Sequence, residues 1–162
     1  MSSRSLTIHL FGSLQILVDE EPLPRLRTRS VEWLLALLVL RHPRVVDRSW
    51  LAGTLWPDTE EAKALHNLRN ALVHLRKALR HAGERIQSPT RDTLILDLEG
   101  VEADVVLFDR AILVGDTESL RAAVALYTGP LLEGCYEEWV ILERENRVQA
   151  FQAALEIGRA HV

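Results

Sequence analysis

The sequence predicts an α+β fold in which an N-terminal antiparallel sheet comes before a set of helices. Apolar and polar side chains alternate over residues 6–18, with Gly12 and Ser13 in the middle, and this pattern predicts a β-hairpin. A Leu-rich stretch follows at 29–41, and apolar side chains then recur every three or four residues over 65–79. Both stretches are typical of helices, so strands and helices are expected in separate parts of the chain.

Further elements are predicted before and after the first helix. After the hairpin, Pro24 and Leu26 are expected on a third, edge strand. Pro43 is expected to end the Leu-rich helix, because proline cannot continue one. Asp47 is then expected to cap a short helix at 48–56.

A long helix and a second hairpin follow. The long helix, about residues 63–82, is expected to end at Gly83, since glycine is a common C-cap residue. Two short strands at 86–87 and 93–96, with a turn at 88–92, form the second hairpin. This order of elements is typical of a winged helix-turn-helix, in which the long helix enters the major groove of DNA and the hairpin is the wing.

The remainder of the chain predicts a separate helical segment. We expect a winged-helix domain over 1–99 and a helical domain over 100–162. A long final helix at 137–160 carries an apolar stripe formed by Ile141, Val148, Phe151 and Leu155. An apolar stripe needs a partner, which is either the helices before it or another protein, and self-association through the C-terminal helices is one form of the second option.

Charge is divided unevenly along the chain. The whole chain has a net charge of −4, which by itself argues against nucleic acid as a partner. Residues 25–91 hold 13 Lys and Arg against 6 Asp and Glu, whereas residues 92–162 hold 5 against 14. A basic block joined to an acidic block predicts one part that faces DNA and another that faces protein.

The long helix has a face rich in cations and amides opposite its Leu stripe. No Asp or Glu falls between residues 65 and 80, although an ordinary surface helix mixes both charge signs. Asparagine can pair with adenine through two hydrogen bonds, and valine can pack on a thymine methyl group. The residues predicted near bases are Asn67, Asn70, Val73, His74 and Lys77. A solvated basic helix is the alternative.

Arginines around this face are predicted to contact phosphates, which attract cations whatever the base sequence. The predicted phosphate and wing contacts are Arg29, Arg48, Arg69, Arg76, Arg80 and Arg91. Arg76 lies beside the apolar stripe, so an internal ion pair is its alternative role.

Other chemistry is sparse, and the sequence predicts that the protein is not an enzyme. No two of the six His residues have the spacing of a helical metal site, and the glycines form no phosphate-binding loop. We therefore expect no metal, no cofactor and no catalytic residue. Cys135 is the only cysteine, and no apolar run is long enough to span a membrane. A cytoplasmic protein with no membrane partner is expected.

Short motifs follow one another in a characteristic order along nearly the whole chain. They include Leu10-Phe11-Gly12, Leu55-Trp56-Pro57-Asp58, Leu68-Arg69-Asn70, Ala125-Leu126-Tyr127, Gly129-Pro130-Leu131-Leu132 and Glu138-Trp139. In this order they resemble the antibiotic regulatory protein (SARP) and AfsR-like transcriptional activators. In that family an OmpR-type winged helix is followed by a bacterial transcriptional activator domain.

The resemblance implies a function and its partners. It implies a sequence-specific DNA-binding transcriptional regulator with a four-stranded N-terminal sheet, a recognition helix at about 63–82 and a tetratricopeptide-like helical segment. It implies double-stranded DNA as a partner, bound as direct repeats by two protomers in tandem. It also implies that the loop at 57–62, with Asp58, Glu60 and Glu61, contacts RNA polymerase.

The chain departs from the family in two places, which leaves two alternatives open. The return strand of the wing, residues 92–96, lacks the Tyr and Arg that the family often has there. The helical segment stops at Val162, within an early helix pair, so a fragment or shortened form is expected. One alternative is a protein-interaction module made of a degenerate winged helix and a helical tail. The other is the N-terminal regulatory part of a larger signalling ATPase.

Overall fold

The structure, a computed structural model, describes residues 5–160. Its strands are Leu6–His9 (β1), Gln15–Val18 (β2), Glu21–Pro22 (β3), Val46–Asp47 (β4), Ile86–Gln87 (β5), Thr93–Leu96 (β6) and Glu102–Ala103 (β7). Its α-helices are Arg29–Arg41 (α1), Arg48–Leu55 (α2), Glu61–Ala78 (α3), Asp104–Val114 (α4), Thr117–Leu126 (α5) and Glu138–Ala160 (α6). The predicted α+β class, a winged helix with an N-terminal sheet followed by helices, is confirmed.

The strands form two sheets. One has the order β3-β2-β1-β7 and the other has the order β4-β6-β5. In the second sheet β6 is antiparallel to both neighbours, with Val46 opposite Leu94 and Ile86 opposite Leu96. The hairpin predicted at this point of the chain is therefore present, and β4, which directly precedes α2, widens it to three strands.

The third strand lies earlier than the sequence predicted. Pro24 and Leu26 are outside the strands of the structure, and β3 is Glu21–Pro22, so the prediction of an edge strand at those two residues is wrong. Asp19 and Glu20 have φ angles of 52° and 68°. Left-handed backbone at both central positions allows a two-residue hairpin turn, so the chain reverses directly after β2.

By their internal packing the residues group into two units. Among the described residues, the first comprises 5–7 and 16–101, and the second comprises 8–15 and 102–160. The predicted domain boundary between residues 99 and 100 stays a prediction. The grouping of residues 8–15 with the later helices has no counterpart in the local sequence pattern, which places them in the first hairpin.

The core of the first unit is built by three helices. α1 has its predicted bounds and is capped by Thr28, whose hydroxyl accepts a hydrogen bond from the Val31 N–H. α3 packs against both α1 and α2. Its buried side chains are Ala64, Leu68, Ala71, Leu72 and Leu75. The opposite side of α3 is left to solvent. Asp47 stands at the N-cap position of α2 without a side-chain capping bond.

The end of α3 differs from the prediction. The helix stops at Ala78, and Arg80 has a φ of 55°, after which residues 80–85 form a 3₁₀ segment. Gly83 lies inside this segment and is therefore not the predicted C-cap. It is buried, and a Cβ there would lie 2.5 Å from the backbone oxygen of Arg76. Gly83 thus allows the 3₁₀ segment to pack directly on the last turn of α3.

The second unit is centred on aromatic side chains and one buried carboxylate. Phe11, Phe108 and Tyr127 are in mutual contact, and Tyr127 stacks on Phe151 with ring centroids 4.1 Å apart. Asp104 accepts hydrogen bonds from the Leu10 and Phe11 N–H groups at 2.8 and 3.0 Å. Burial raises the pKa of Asp104, while these hydrogen bonds act to lower it.

The buried side of α6 is rotated from the stripe predicted for it. Ile141, which was predicted on the apolar stripe, is 62% exposed and so is not buried against the other helices, whereas Val140 and Ala154 are buried. Arg144 faces the same side, and its guanidinium donates to the carbonyl oxygens of Leu131, Leu132 and Cys135. The hydrophobic pattern of the sequence does not predict this buried side, because Arg144 lies in the middle of it. Arg144 is polar, and it is accommodated there by its hydrogen bonds to the turn carbonyls.

Candidate nucleic-acid interface

The exposed side of α3 brings together the residues predicted to lie near bases. At 3.6 residues per turn, Asn67, Val73, His74 and Lys77 all lie within about 60° of Asn70 around the helix axis. Asn70, Val73 and Lys77 are exposed, and Asn67 and His74 are half-buried. Val73 is 52% exposed although it is apolar. We call this side of the helix the α3 face.

Two further residues belong to the α3 face. Lys63 and His66 are exposed and precede Asn70 by seven and four residues, which places them on the same side of the helix. Neither was among the predicted base-proximal residues. The spacing could have found them, because seven residues are close to two full turns. From Ala62 to Gly83 the sequence contains no Asp or Glu, so Glu61, the first residue, carries the one carboxylate of α3.

Asn70 and His66 contact each other on the α3 face. The Asn70 Nδ2 lies 3.3 Å from the His66 Nε2. Residues four apart on a helix are neighbours on its surface, so this contact is made within one turn of α3. It leaves part of the Asn70 amide directed to solvent, where it could meet a base edge.

Arg76 and Arg48 connect the helices to the wing. The Arg76 guanidinium donates to the carbonyl oxygen of Ile86 in β5 at 3.1 Å. This partner is a backbone carbonyl and not the carboxylate of an internal ion pair. Arg48 donates through Nη2 to the Ser88 hydroxyl at 2.8 Å, and its backbone N–H donates to the Asp92 carbonyl. Both arginines therefore hold the hairpin in place.

The cations around the wing are close enough to influence one another. Burial lowers the pKa of Arg48, and the positive charges of Arg76 and Arg69 lower it further, while Asp92 opposes them. Arg69 itself is exposed on the flank of α3. Three guanidinium groups with one weakly opposing carboxylate make this flank a favourable place for an anion.

The other predicted arginines lie at three separate places. Arg29 is the exposed first residue of α1, and Arg91 is exposed in the turn between β5 and β6. Arg80 is exposed but lies beyond the end of α3, where the backbone has turned. Arg80 therefore does not continue the α3 face, contrary to the helix bounds predicted from the sequence.

The predicted polymerase-contact loop is short and acidic. Asp58, Glu60 and Glu61 are all exposed. Glu61 is the first residue of α3, where a negative charge stabilises the positive end of the helix dipole. Glu61 thus has a local structural role in addition to any contact with a partner.

Two findings concern the described residues as a whole. Within residues 5–160, no helix has both the length and the apolar character required to cross a membrane. The same residues include no group of three or more His, Cys, Asp or Glu side chains placed to hold a metal ion.

Comparison with known proteins gives a structural likeness but no sequence match. No protein-family model matches the chain, and no curated protein matches it. The solved structure of Mycobacterium tuberculosis EmbR in complex with a low-affinity phosphopeptide has a TM-score of 0.79 and 22% sequence identity. The match covers 96% of this chain and 45% of EmbR, so the chain spans less than half of that protein. The likeness shows the fold, a winged helix plus a helical segment.

Proposed function

We propose that the protein is a sequence-specific, DNA-binding transcriptional regulator that places α3 in the major groove. The observation that carries this proposal is the α3 face, which is exposed or half-buried at every position from Lys63 to Lys77 and contains no carboxylate. The major groove is about 12 Å wide and admits a helix with its side chains. On this face Asn67 and Asn70 supply hydrogen-bonding amides and Val73 supplies an apolar contact.

Phosphate contacts would come from both flanks of the helix and from the wing. Lys77 and Arg69 are exposed on or beside the α3 face, and Arg91 is exposed at the turn of the wing hairpin. In this proposal Arg76 contributes indirectly, because its guanidinium is already bound to the Ile86 carbonyl. The protein acts by binding and not by catalysis.

The remaining partners belong to the same proposal. The exposed acidic residues Asp58, Glu60 and Glu61 suit a basic surface of RNA polymerase and would be repelled by DNA. Two protomers bound in tandem to a direct repeat would agree with a recognition helix that reads a single half-site.

The experiment that tests the proposal is selection from a random duplex DNA library at moderate salt, followed by sequencing of the bound fraction. We expect an enriched motif. A variant carrying Lys63→Glu and Lys77→Glu should lose binding, because two α3-face cations become anions. The matched control carries Arg110→Glu and Arg121→Glu, the same charge change at exposed residues of the second unit, and should retain the motif.

One observation favours a second candidate, a protein-interaction module. Ile141 and Leu142 are adjacent on α6 and are 62% and 68% exposed. Exposed apolar neighbours of this kind are typical of protein contacts. If the chain binds no duplex DNA even at low salt, the protein-interaction module becomes the better-supported function and the DNA-binding regulator is rejected. Binding that is equal for both double variants would also contradict the regulator, since the α3 face would then play no part.

A further inference from the structure

We infer that His66 orients the side-chain amide of Asn70 and thereby makes Asn70 specific for adenine. This inference rests on the proposed function, because it concerns the base pair that α3 would read. Its basis is the 3.3 Å contact between Asn70 Nδ2 and His66 Nε2, both on exposed residues of the α3 face.

The orientation of the Asn70 amide in the structure gives the contact its polarity. An asparagine amide nitrogen donates hydrogen bonds and cannot accept them, so His66 Nε2 must be the acceptor. In this arrangement one Asn70 N–H is used, and the Asn70 Oδ1 and the second N–H stay available.

The available pair of groups matches one base. Adenine presents an N6 donor and an N7 acceptor in the major groove, so an amide that offers one oxygen and one N–H can pair with both. In the opposite orientation Oδ1 would be used by a donor at position 66, and two N–H groups would face outward. That set matches the O6 and N7 acceptors of guanine. The hydrogen-bonding character of residue 66 therefore selects between the two purines.

The structure gives the Asn70 amide its contact with His66. The neighbouring charged side chains on this side are those of Lys63, Arg69 and Lys77, and all three can only donate hydrogen bonds. They cannot accept the Asn70 N–H. Asn67 and His74 also lie within a turn of Asn70 and can accept, but the contact of the Asn70 amide in the structure is with His66. His66 is in this sense a positioning residue that acts through Asn70.

The test exchanges the hydrogen-bonding character of residue 66 and reads the base preference. Asn70→Ala first identifies the motif position that Asn70 reads, as the position where preference is lost. His66→Lys supplies only donors and should shift that position from adenine towards guanine by about tenfold or more. His66→Glu supplies only acceptors and should keep adenine, although its negative charge weakens binding to all sequences.

The matched controls are His74→Lys and His74→Glu, which make the same charge changes on the same face, four residues beyond Asn70. They should alter affinity, and the preference at any position that His74 itself reads, without exchanging adenine for guanine at the Asn70-dependent position. An enriched motif whose Asn70-dependent position is not adenine, or is unchanged by His66→Lys, overturns the inference and leaves the proposed function standing. Absence of any motif with the unaltered protein contradicts the proposed function itself, and the inference falls with it.

Discussion

Asn70 is the residue on which sequence preference should depend most, because it lies at the centre of the α3 face. We expect Asn70→Ala to remove discrimination at one base position, at a cost of about 1–3 kcal/mol for the preferred site, and to leave the other positions nearly unchanged. Competition binding with single-base variants of the selected site measures this. Equal binding of the unaltered and Asn70→Ala proteins to all of the same sites would contradict base reading by this residue.

Lys77 should behave differently, because a lysine ammonium group is a point charge suited to phosphate. We expect Lys77→Ala to weaken binding to every sequence to a similar extent. The slope of log K against log salt should become shallower by about 0.9, the contribution of one neutralised phosphate. Titrations at several salt concentrations give the slope. Arg121→Ala, at an exposed residue of the second unit, serves as the control, and an unchanged slope for Lys77→Ala would count against the phosphate contact.

At the residue scale, sequence periodicity was sufficient to place the centre of the α3 face but not its margins. The five residues predicted near bases share one side of α3 because they follow the helical repeat. The role of Arg76 could not be predicted, since its hydrogen bond to the Ile86 carbonyl joins residues that only the folded chain brings together. The contact of His66 with Asn70 was accessible from the four-residue spacing, yet a spacing alone does not state which atoms meet.

Gly83 is the position where the close packing of two elements can be tested. We expect Gly83→Ala to lower the free energy of unfolding by about 1–3 kcal/mol, because an added methyl group in a filled site forces the backbone apart. The opposing atom is the Arg76 carbonyl oxygen, which would lie 2.5 Å from the new Cβ. Urea unfolding followed by circular dichroism measures the change.

The chain offers a matched control for this substitution. Gly53 is in the interior of α2, and a Cβ there would meet nothing within 4 Å. Gly53→Ala should therefore raise the free energy of unfolding by about 0.5–1 kcal/mol through the better helix propensity of alanine. If Gly83→Ala and Gly53→Ala change the free energy of unfolding in the same direction, the close approach of the two backbones does not explain why residue 83 is a glycine.

At the element scale, the helices and the wing were predictable because each carries a complete local signal. α1 has a threonine cap, a continuous apolar run and a proline just beyond its end. Element ends were less accessible where tertiary contacts decide them. α3 stops at Ala78 so that the 3₁₀ segment can pack back on it, and β3 follows directly from left-handed backbone at Asp19 and Glu20.

At the scale of the whole molecule, the separation of charge matters more than its sum. A net charge of −4 argues against DNA binding only if the charges are evenly spread along the chain. Here the positive excess lies in residues 25–91. How strongly the acidic block of residues 92–162 opposes DNA depends on the Debye length, which is about 30 Å at 0.01 M salt and about 8 Å at 0.15 M. The acidic block should therefore repel DNA at low salt, and this repulsion should be screened at physiological salt.

We accordingly expect a curved salt dependence of DNA binding. Above about 0.1 M the plot of log K against log salt should be steep and straight, because counterion release dominates there. Towards about 0.01 M it should flatten, since repulsion by the acidic block increases as screening is lost.

Glu145→Gln combined with Glu156→Gln removes two exposed carboxylates of α6 and should raise affinity at the low-salt end while leaving it unchanged at 0.15 M. Gln152→Ala, which changes no charge on the same helix, should have no effect at either end. Straight and coincident plots for the unaltered and doubly substituted proteins would show that the acidic block does not oppose DNA at any salt concentration, and the separation of charge would then have to serve a protein partner alone.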